Sequence, residues 1–98
     1  MITRVEFTLD NWTQIRHHQD IHIKDIRGIF PEYEVEFIIY TDIKEYPRTL
    51  HEQQYEPGDD HFHLREWFEE HEKELKPLDK LAIEIIEPMH KYRLEIVK

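Results

Sequence analysis

The sequence predicts a mainly β fold, in which seven short strands and two short helices form a partly closed barrel of antiparallel or mixed strands. Short runs of alternating apolar and polar residues recur along the chain, whereas a convincing apolar stripe with helical spacing occurs once. An α/β stack would need repeated long crossover helices. Because 98 residues leave room for one core, we treat residues 1–98 as a single domain.

The first third of the chain alternates strands with short polar segments. Residues 2–9 are expected to form strand one, and the polar residues 10–20 a loop or a single helical turn. Ile21 and Ile23 then point inward from strand two. A short helix follows and ends before Pro31, which stops helices.

The middle of the chain contains the clearest strand. Residues 33–40 alternate over a full strand length and predict a central strand three. Residues 45–51 can pair back as strand four, with Pro47 confining that strand to an edge or a bulge. The stretch EQQYEPGDD contains turn residues and is the longest candidate surface loop.

The last third predicts a short strand, a helix and a closing hairpin. HFHL can form the short strand, and a stripe with helical spacing follows at Leu64, Trp67, Phe68, His71 and Leu75. Pairs of Glu69 with Lys73 and of Glu72 with Lys76 favour the same helix, which Pro77 ends. Residues 81–85 and 92–96 alternate as a hairpin. We expect Trp12, Trp67 and Phe68 in the core.

The charge balance restricts the partners that the chain can bind. With 22 acidic and 13 basic residues the net charge is −9, which disfavours indiscriminate attraction to nucleic-acid phosphates or anionic membranes. The acidic excess lies mostly in residues 31–64, while residues 1–30 hold four acids and four bases. No apolar run approaches the ~18 residues of a membrane span, and the absence of cysteine is compatible with a reducing compartment. We therefore expect a cytoplasmic protein that does not bind membranes.

Residues 61–97 carry the most informative order of elements, namely a strand, a helix that opens with an aromatic pair, the turn LKPLDK and two closing strands. The key positions are Phe62, Leu64, Trp67, Phe68, Leu75, Asp79, Ile83, Ile85, Tyr92 and Leu94. This order resembles the DNA-binding pseudobarrel family, which includes the plant B-three domains and the recognition domains of certain restriction enzymes. Leu78 stands where that family usually has a turn glycine. The resemblance implies a seven-stranded open pseudobarrel.

The resemblance also implies two polar arms that enter the major groove of double-stranded DNA. The first arm, after strand one, corresponds to Gln14, Arg16, His17, His18 and Gln19. The second, between strands four and five, corresponds to Arg48, His51, Gln53, Gln54 and Tyr55. Arginine can bond guanine through two hydrogen bonds, and glutamine can bond adenine in the same way. Further phosphate contacts could come from Lys24, Arg27 and Lys44.

The eight histidines raise the alternative of a metal site. His61 and His63 would project from one face of an extended strand, and His51, Asp59 and Asp60 could supply further donors. The stretch is loosely similar to the G…HxH…E motif of cupins, but the helical spacing after Leu64 interrupts the strand that a cupin needs. We expect surface histidines, no metal and no cofactor.

The expected function is therefore non-catalytic binding of double-stranded DNA, with a protein partner such as a nuclease as an option. A GxSxG elbow, a glycine-rich phosphate loop and a cysteine nucleophile are all absent from the sequence. A protein-interaction module on the same barrel is the first alternative, and a cupin-like metal-dependent enzyme is the less favoured second. Because histidines gain protons near pH 6, DNA binding should strengthen on mild acidification.

Overall fold

Seven strands and three short helical segments make up the fold, which a computed structural model describes for residues 3–97. The strands are β1 (Arg4–Thr8), β2 (Asp20–His22), β3 (Glu36–Tyr40), β4 (Glu45–Thr49), β5 (His61–His63), β6 (Lys80–Glu87) and β7 (Lys91–Ile96). The helical segments are a π-helical turn (Gln14–His18), a 3₁₀ helix (Lys24–Ile29) and an α-helix, α1 (Arg65–Glu70). The predicted mainly β fold with seven strands is confirmed. The expected strand one began at residue 2, which lies outside the described residues.

The strands form two sheets. One has five strands in the order β1-β6-β7-β3-β4, and the other pairs β2 with β5. Every pair is antiparallel except β3 with β7, which is parallel. The closing hairpin β6–β7 and the edge position of β4 are confirmed, and at that edge Pro47 can do without a ladder hydrogen bond. Within residues 3–97 neither sheet closes on itself.

Two predicted elements are shorter than their patterns suggested. Strand three was expected from residue 33, but β3 starts at Glu36 because Glu34 adopts a left-handed φ of 66° in a turn. The predicted helix ends at Glu70 and continues only as turns. Within the helix, Arg65 Nε donates to Oε1 of Glu69 at 3.0 Å, so Glu69 pairs toward the start of the helix. The apolar stripe still points inward, so burial rather than helix length was the reliable part of the prediction.

An aromatic cluster forms the centre of the core. The rings of Phe30, Phe37, Phe62 and Tyr92 lie with their centroids 4.7–5.8 Å apart, in tilted and edge-on pairs. Burial raises the pKa of Tyr92 to about 12. No helix within residues 3–97 is long and apolar enough to cross a membrane.

The prediction that Trp12, Trp67 and Phe68 lie in the core is confirmed in part. Trp67 and its neighbour Phe68 are buried, whereas Trp12 is 44% exposed. The π-helical turn places the guanidinium of Arg16 4.1 Å from the centre of the Trp12 ring, so this ring stacks under a cation at the surface. The expectation that Trp12 belongs to the core was therefore wrong.

Candidate functional site

A surface groove of about 430 Å³ gathers basic side chains from three segments of the chain. We call it the Arg16 groove. It is lined by the end of the π-helical turn, by β5 and by α1. Its lining residues are Arg16, His17, His18, Gln19, His63, Arg65 and Glu69. Four of the five residues predicted for the first arm therefore share one surface, joined by three that were not predicted for DNA binding.

The fifth predicted arm residue, Gln14, is buried and cannot reach a base. Its Oε1 accepts a hydrogen bond from the Asp10 backbone N–H at 2.6 Å, and its Nε2 donates to the Asp20 carbonyl at 3.0 Å. A buried amide needs hydrogen-bond partners at both ends, and Gln14 has both inside the protein, so the structure does not present it to a base. Gln14 instead holds the two ends of the arm together.

The backbone of Gln19 connects the first arm to the residue before α1. Its φ of 53° is left-handed and ends the π-helical turn, with its N–H donating to the Gln14 carbonyl at 2.7 Å. Its carbonyl accepts a hydrogen bond from the N–H of Leu64, which precedes α1, at 2.9 Å. The arm is thus fixed against β5 and α1.

His63 joins the first arm to the start of the second. Its Nδ1 donates to the His18 carbonyl at 2.9 Å, and its own carbonyl accepts a hydrogen bond from Nε of Arg48 at 2.8 Å. Sequence reasoning considered His63 only as a metal donor. The pairing of β5 with β2, which directly follows the first arm, could not be inferred from local patterns.

The groove and its border carry three guanidinium groups, with Glu69 beside Arg65 and Glu66 near Arg48. Arg16 stacks on Trp12, Arg48 lies 5.0 Å from the centre of the Tyr46 ring, and Arg65 bonds Glu69 at 3.0 Å. Guanidinium groups are donors in a fixed fork that suits phosphate and guanine. This surface is therefore locally cationic in a chain whose net charge is −9.

Arg27, predicted as a phosphate contact, is part of the internal structure. Its Nε donates to the buried carboxylate of Asp60 at 2.8 Å, and its Nη1 donates to the carbonyls of Phe30 and Pro31 at 3.2 and 2.8 Å. The Tyr33 hydroxyl donates to the same Asp60 carboxylate at 2.9 Å, which raises the pKa of Tyr33. The phosphate contact of Arg27 stays a prediction, and the structure gives its Nε and Nη1 a role inside the fold.

The other predicted residues are spread over the surface. Lys24 lines a different groove, and Lys44 lies 3.9 Å from Glu66. The remainder of the second arm is His51, Gln53, Gln54 and Tyr55. Across residues 3–97, no hydrogen bond or ion pair joins residues 51–55 to residues 14–19. Only Arg48 of the second arm is thus connected to the first.

His51 and its neighbours are bonded within their own loop or lie free at the surface. His51 Nδ1 lies 2.8 Å from Oε1 of Glu34, and Gln53 Nε2 donates to the His51 carbonyl at 3.1 Å. Gln54 is exposed, and Tyr55 is 90% exposed. This loop presents polar groups to solvent.

A partly buried histidine between two carboxylates marks a second polar cluster. His71 Nε2 lies 2.9 Å from Oδ2 of Asp42, and His71 Nδ1 lies 2.8 Å from Oε1 of Glu74. Burial opposes the charge of His71, but these two hydrogen bonds outweigh it and raise the pKa of the imidazole. The Asp42 carboxylate also accepts from Trp67 Nε1 at 3.1 Å. Because both ring nitrogens are occupied, His71 joins α1 to the β3–β4 turn and offers no free base.

A third cluster has the composition of a metal site. One ligand atom from each of Asp20, His22 and His61 lies within 4.8 Å of the other two. The sequence had suggested His61 with His63, His51, Asp59 and Asp60. The structure instead places Asp60 against Arg27, His51 against Glu34, and His61 beside two residues of β2.

Comparisons of the chain with protein-family models, with curated proteins and with solved structures found no match. The resemblance to the pseudobarrel family therefore stays a prediction from the order of elements. The chemistry of the Arg16 groove and of the two histidine clusters is what bears on function.

Proposed function

We propose that this chain is a non-catalytic module that binds double-stranded DNA through the Arg16 groove, on an open pseudobarrel. The observation that carries the proposal is the convergence of Arg16, Arg48 and Arg65 around His63. Acidic residues dominate the chain, yet this surface keeps three arginines together against two glutamates, which suits an anion of fixed geometry. The function differs from the expectation in using one groove rather than two opposed arms.

The chemistry of the groove suits the backbone of a duplex and the edges of its bases. Arg16 and Arg65 are exposed and can each donate two parallel hydrogen bonds to a phosphate or to guanine O6 and N7. His17 and His18 add further hydrogen-bonding groups beside the arginines. Three phosphate contacts predict a slope of log K against log salt of about −2.7, which is roughly a 40-fold loss between 50 and 200 mM salt.

The backbone at Leu78 supports the pseudobarrel part of the proposal. Leu78 has a φ of 71° and is 74% exposed, so it occupies a left-handed turn position in which glycine is normally preferred. The pseudobarrel family usually has its turn glycine at the corresponding place. The chain thus keeps the turn geometry of the pattern while departing from its residue type.

A mobility shift with random duplex DNA at pH 6 and 50 mM salt tests the proposal. We expect micromolar binding, with each of Arg16→Ala, Arg48→Ala and Arg65→Ala lowering affinity about tenfold and reducing the salt slope by about 1. Arg93→Ala is the matched control, because Arg93 lies on β7 in an ion pair with Glu84 at 3.2 Å. The absence of binding by the wild type, or an equal loss in the Arg93 variant, would refute the role of the groove.

A second candidate function is protein binding, and a separate observation favours it. An apolar groove of about 430 Å³ is lined by Ile29, Ile85, Ile86, Pro88 and Met89 beside Thr3 and Gly28. Ile86 and Met89 are each 43% exposed, and such a patch is typical of protein interaction sites. Capture of a partner that Met89→Glu abolishes and Arg16→Ala leaves unchanged would favour this function.

A further inference from the structure

We propose that Asp20, His22 and His61 form a binding site for one divalent transition-metal ion of the Zn²⁺ class. The three residues supply two imidazoles and one carboxylate, a donor set that proteins use for zinc and related ions. The site is distinct from the Arg16 groove and does not depend on DNA binding. It lies on the outer side of the two-stranded sheet.

The pairing of β2 with β5 brings the three residues together. His22 and His61 are directly opposite each other in the register of the two strands, with ring centroids 5.5 Å apart. Asp20 is two residues before His22 and therefore projects from the same side of β2. The alternate positions, Ile21 and Phe62, are buried in the core and fix which side faces outward.

The Asp20 carboxylate is buried and incompletely bonded. Asp20 is 3% exposed, and among the buried side-chain nitrogens and oxygens of residues 3–97 its Oδ1 is the one without a hydrogen-bond partner. Such a group is costly to bury unless a cation or a donor satisfies it. Oδ1 lies 3.3 Å from Nε2 of His22. Two ligand atoms bound tetrahedrally at about 2.0–2.1 Å from zinc would be about 3.3 Å apart.

The second ring nitrogen of each histidine has a partner on Asp59. His22 Nδ1 lies 3.3 Å from Oδ1 of Asp59, and His61 Nδ1 lies 3.0 Å from the Asp59 carbonyl. Histidines that bind metals usually donate their other N–H to a carboxylate or a backbone carbonyl in this way. Both contacts leave Nε2 as the nitrogen for the ion. The Asp59 contacts therefore preorient the imidazoles.

Solvent can reach the site along an acidic groove. His22 and Asp59 line a groove of about 500 Å³ together with Glu6, Asp10 and Asp25, and Lys24 also lies there. The carboxylates favour the approach of cations. Three protein ligands leave one position of a tetrahedral ion free for water, as in sites where zinc acts as a Lewis acid.

Calorimetric titration of the full chain with Zn²⁺ at pH 7.5, after stripping with a chelator, tests the proposal. We expect one tight site per chain, weakened at least 100-fold by His22→Gln and by His61→Gln. Asp59→Asn should weaken binding about tenfold, because it disturbs only the orientation of a ligand. His17→Gln is the matched control, since His17 is an exposed histidine outside the cluster. The Zn²⁺ affinity of this variant should differ less than threefold from that of the wild type.

Co²⁺ provides a readout of geometry that weak surface binding would not give. The wild type should show intense visible absorption from a four-coordinate ion, and the His22→Gln variant should lose it. Far-UV circular dichroism of each apo variant verifies that the chain is folded. Wild-type affinity in both histidine variants, or a loss of the tight site in the His17 control, would overturn the proposal.

Discussion

Replacing Arg27 with methionine tests whether this arginine holds the fold together or contacts DNA. The substitution keeps most of the apolar stem of the side chain but removes the cationic partner of Asp60, whose side chain is 4% exposed. Removing one member of a buried ion pair costs about 3–5 kcal/mol, because the other charge stays buried. The side chain of Arg27 is 27% exposed, so water screens part of the interaction. We therefore expect the lower end, about 3 kcal/mol.

Thermal unfolding measures this loss. At about 4–8 °C per kcal/mol for a domain of this size, the Tm of Arg27→Met should fall by about 12–24 °C. Arg16→Met is the control, because the exposed Arg16 should change stability by about 0.5 kcal/mol or less. DNA affinity, measured where both variants are folded, should show the opposite order. If Arg27→Met has the Tm of the wild type, the ion pair with Asp60 does not stabilise the fold, and Arg27 is again a candidate for phosphate contact.

Three further substitutions test the local structure. Gln14→Ala removes two hydrogen bonds to backbone groups and should lower the free energy of unfolding in urea by about 1–3 kcal/mol. An unchanged urea midpoint would contradict the structural role of the buried Gln14 amide. The carboxylates of Asp42 and Glu74 raise the pKa of His71 above its usual 6.5. The charged imidazole therefore stabilises the folded state fully below pH 6.5, and this stabilisation is lost as the pH rises through the folded-state pKa. The Tm of the wild type should therefore exceed that of His71→Gln by less at pH 9 than at pH 6. A difference that grows with pH would show that folding lowers the pKa of His71 instead of raising it. Leu78→Gly should raise stability by about 0.5–1 kcal/mol, because glycine adopts a left-handed φ without the cost of a Cβ, and a lower Tm would disprove that strain.

Alternation and the apolar stripe predicted the strands and the buried face of α1, since both depend on spacing within one segment. The left-handed turn at Glu34 was missed because its cause is a contact with another segment. Its backbone N–H donates to the Leu50 carbonyl at 2.9 Å, which shortens β3. Patterns within a segment contain no information about such a partner.

The candidate site was predictable only where side chains are exposed. Arg16, His17 and His18 lie on the surface as expected, whereas Arg27 is occupied by an acid 33 residues away. The metal cluster needed the register of β2 against β5, which places His22 opposite His61. The register of two strands depends on which alternate residues are buried. Because β2 and β5 have three residues each, their sequences contain too few alternating positions to predict the register.

The position of β7 has a consequence for how the protein is made. This strand is the last of the seven to leave the ribosome, yet it lies in the middle of the larger sheet, between β6 and β3. Until it arrives, the hairpin β3–β4 and the long-range pair β1–β6 are separate pieces of sheet whose inner edges are open to mispairing. Translation that stops at His90 would therefore yield two disconnected halves rather than a slightly shortened sheet, and productive folding waits for the final strand.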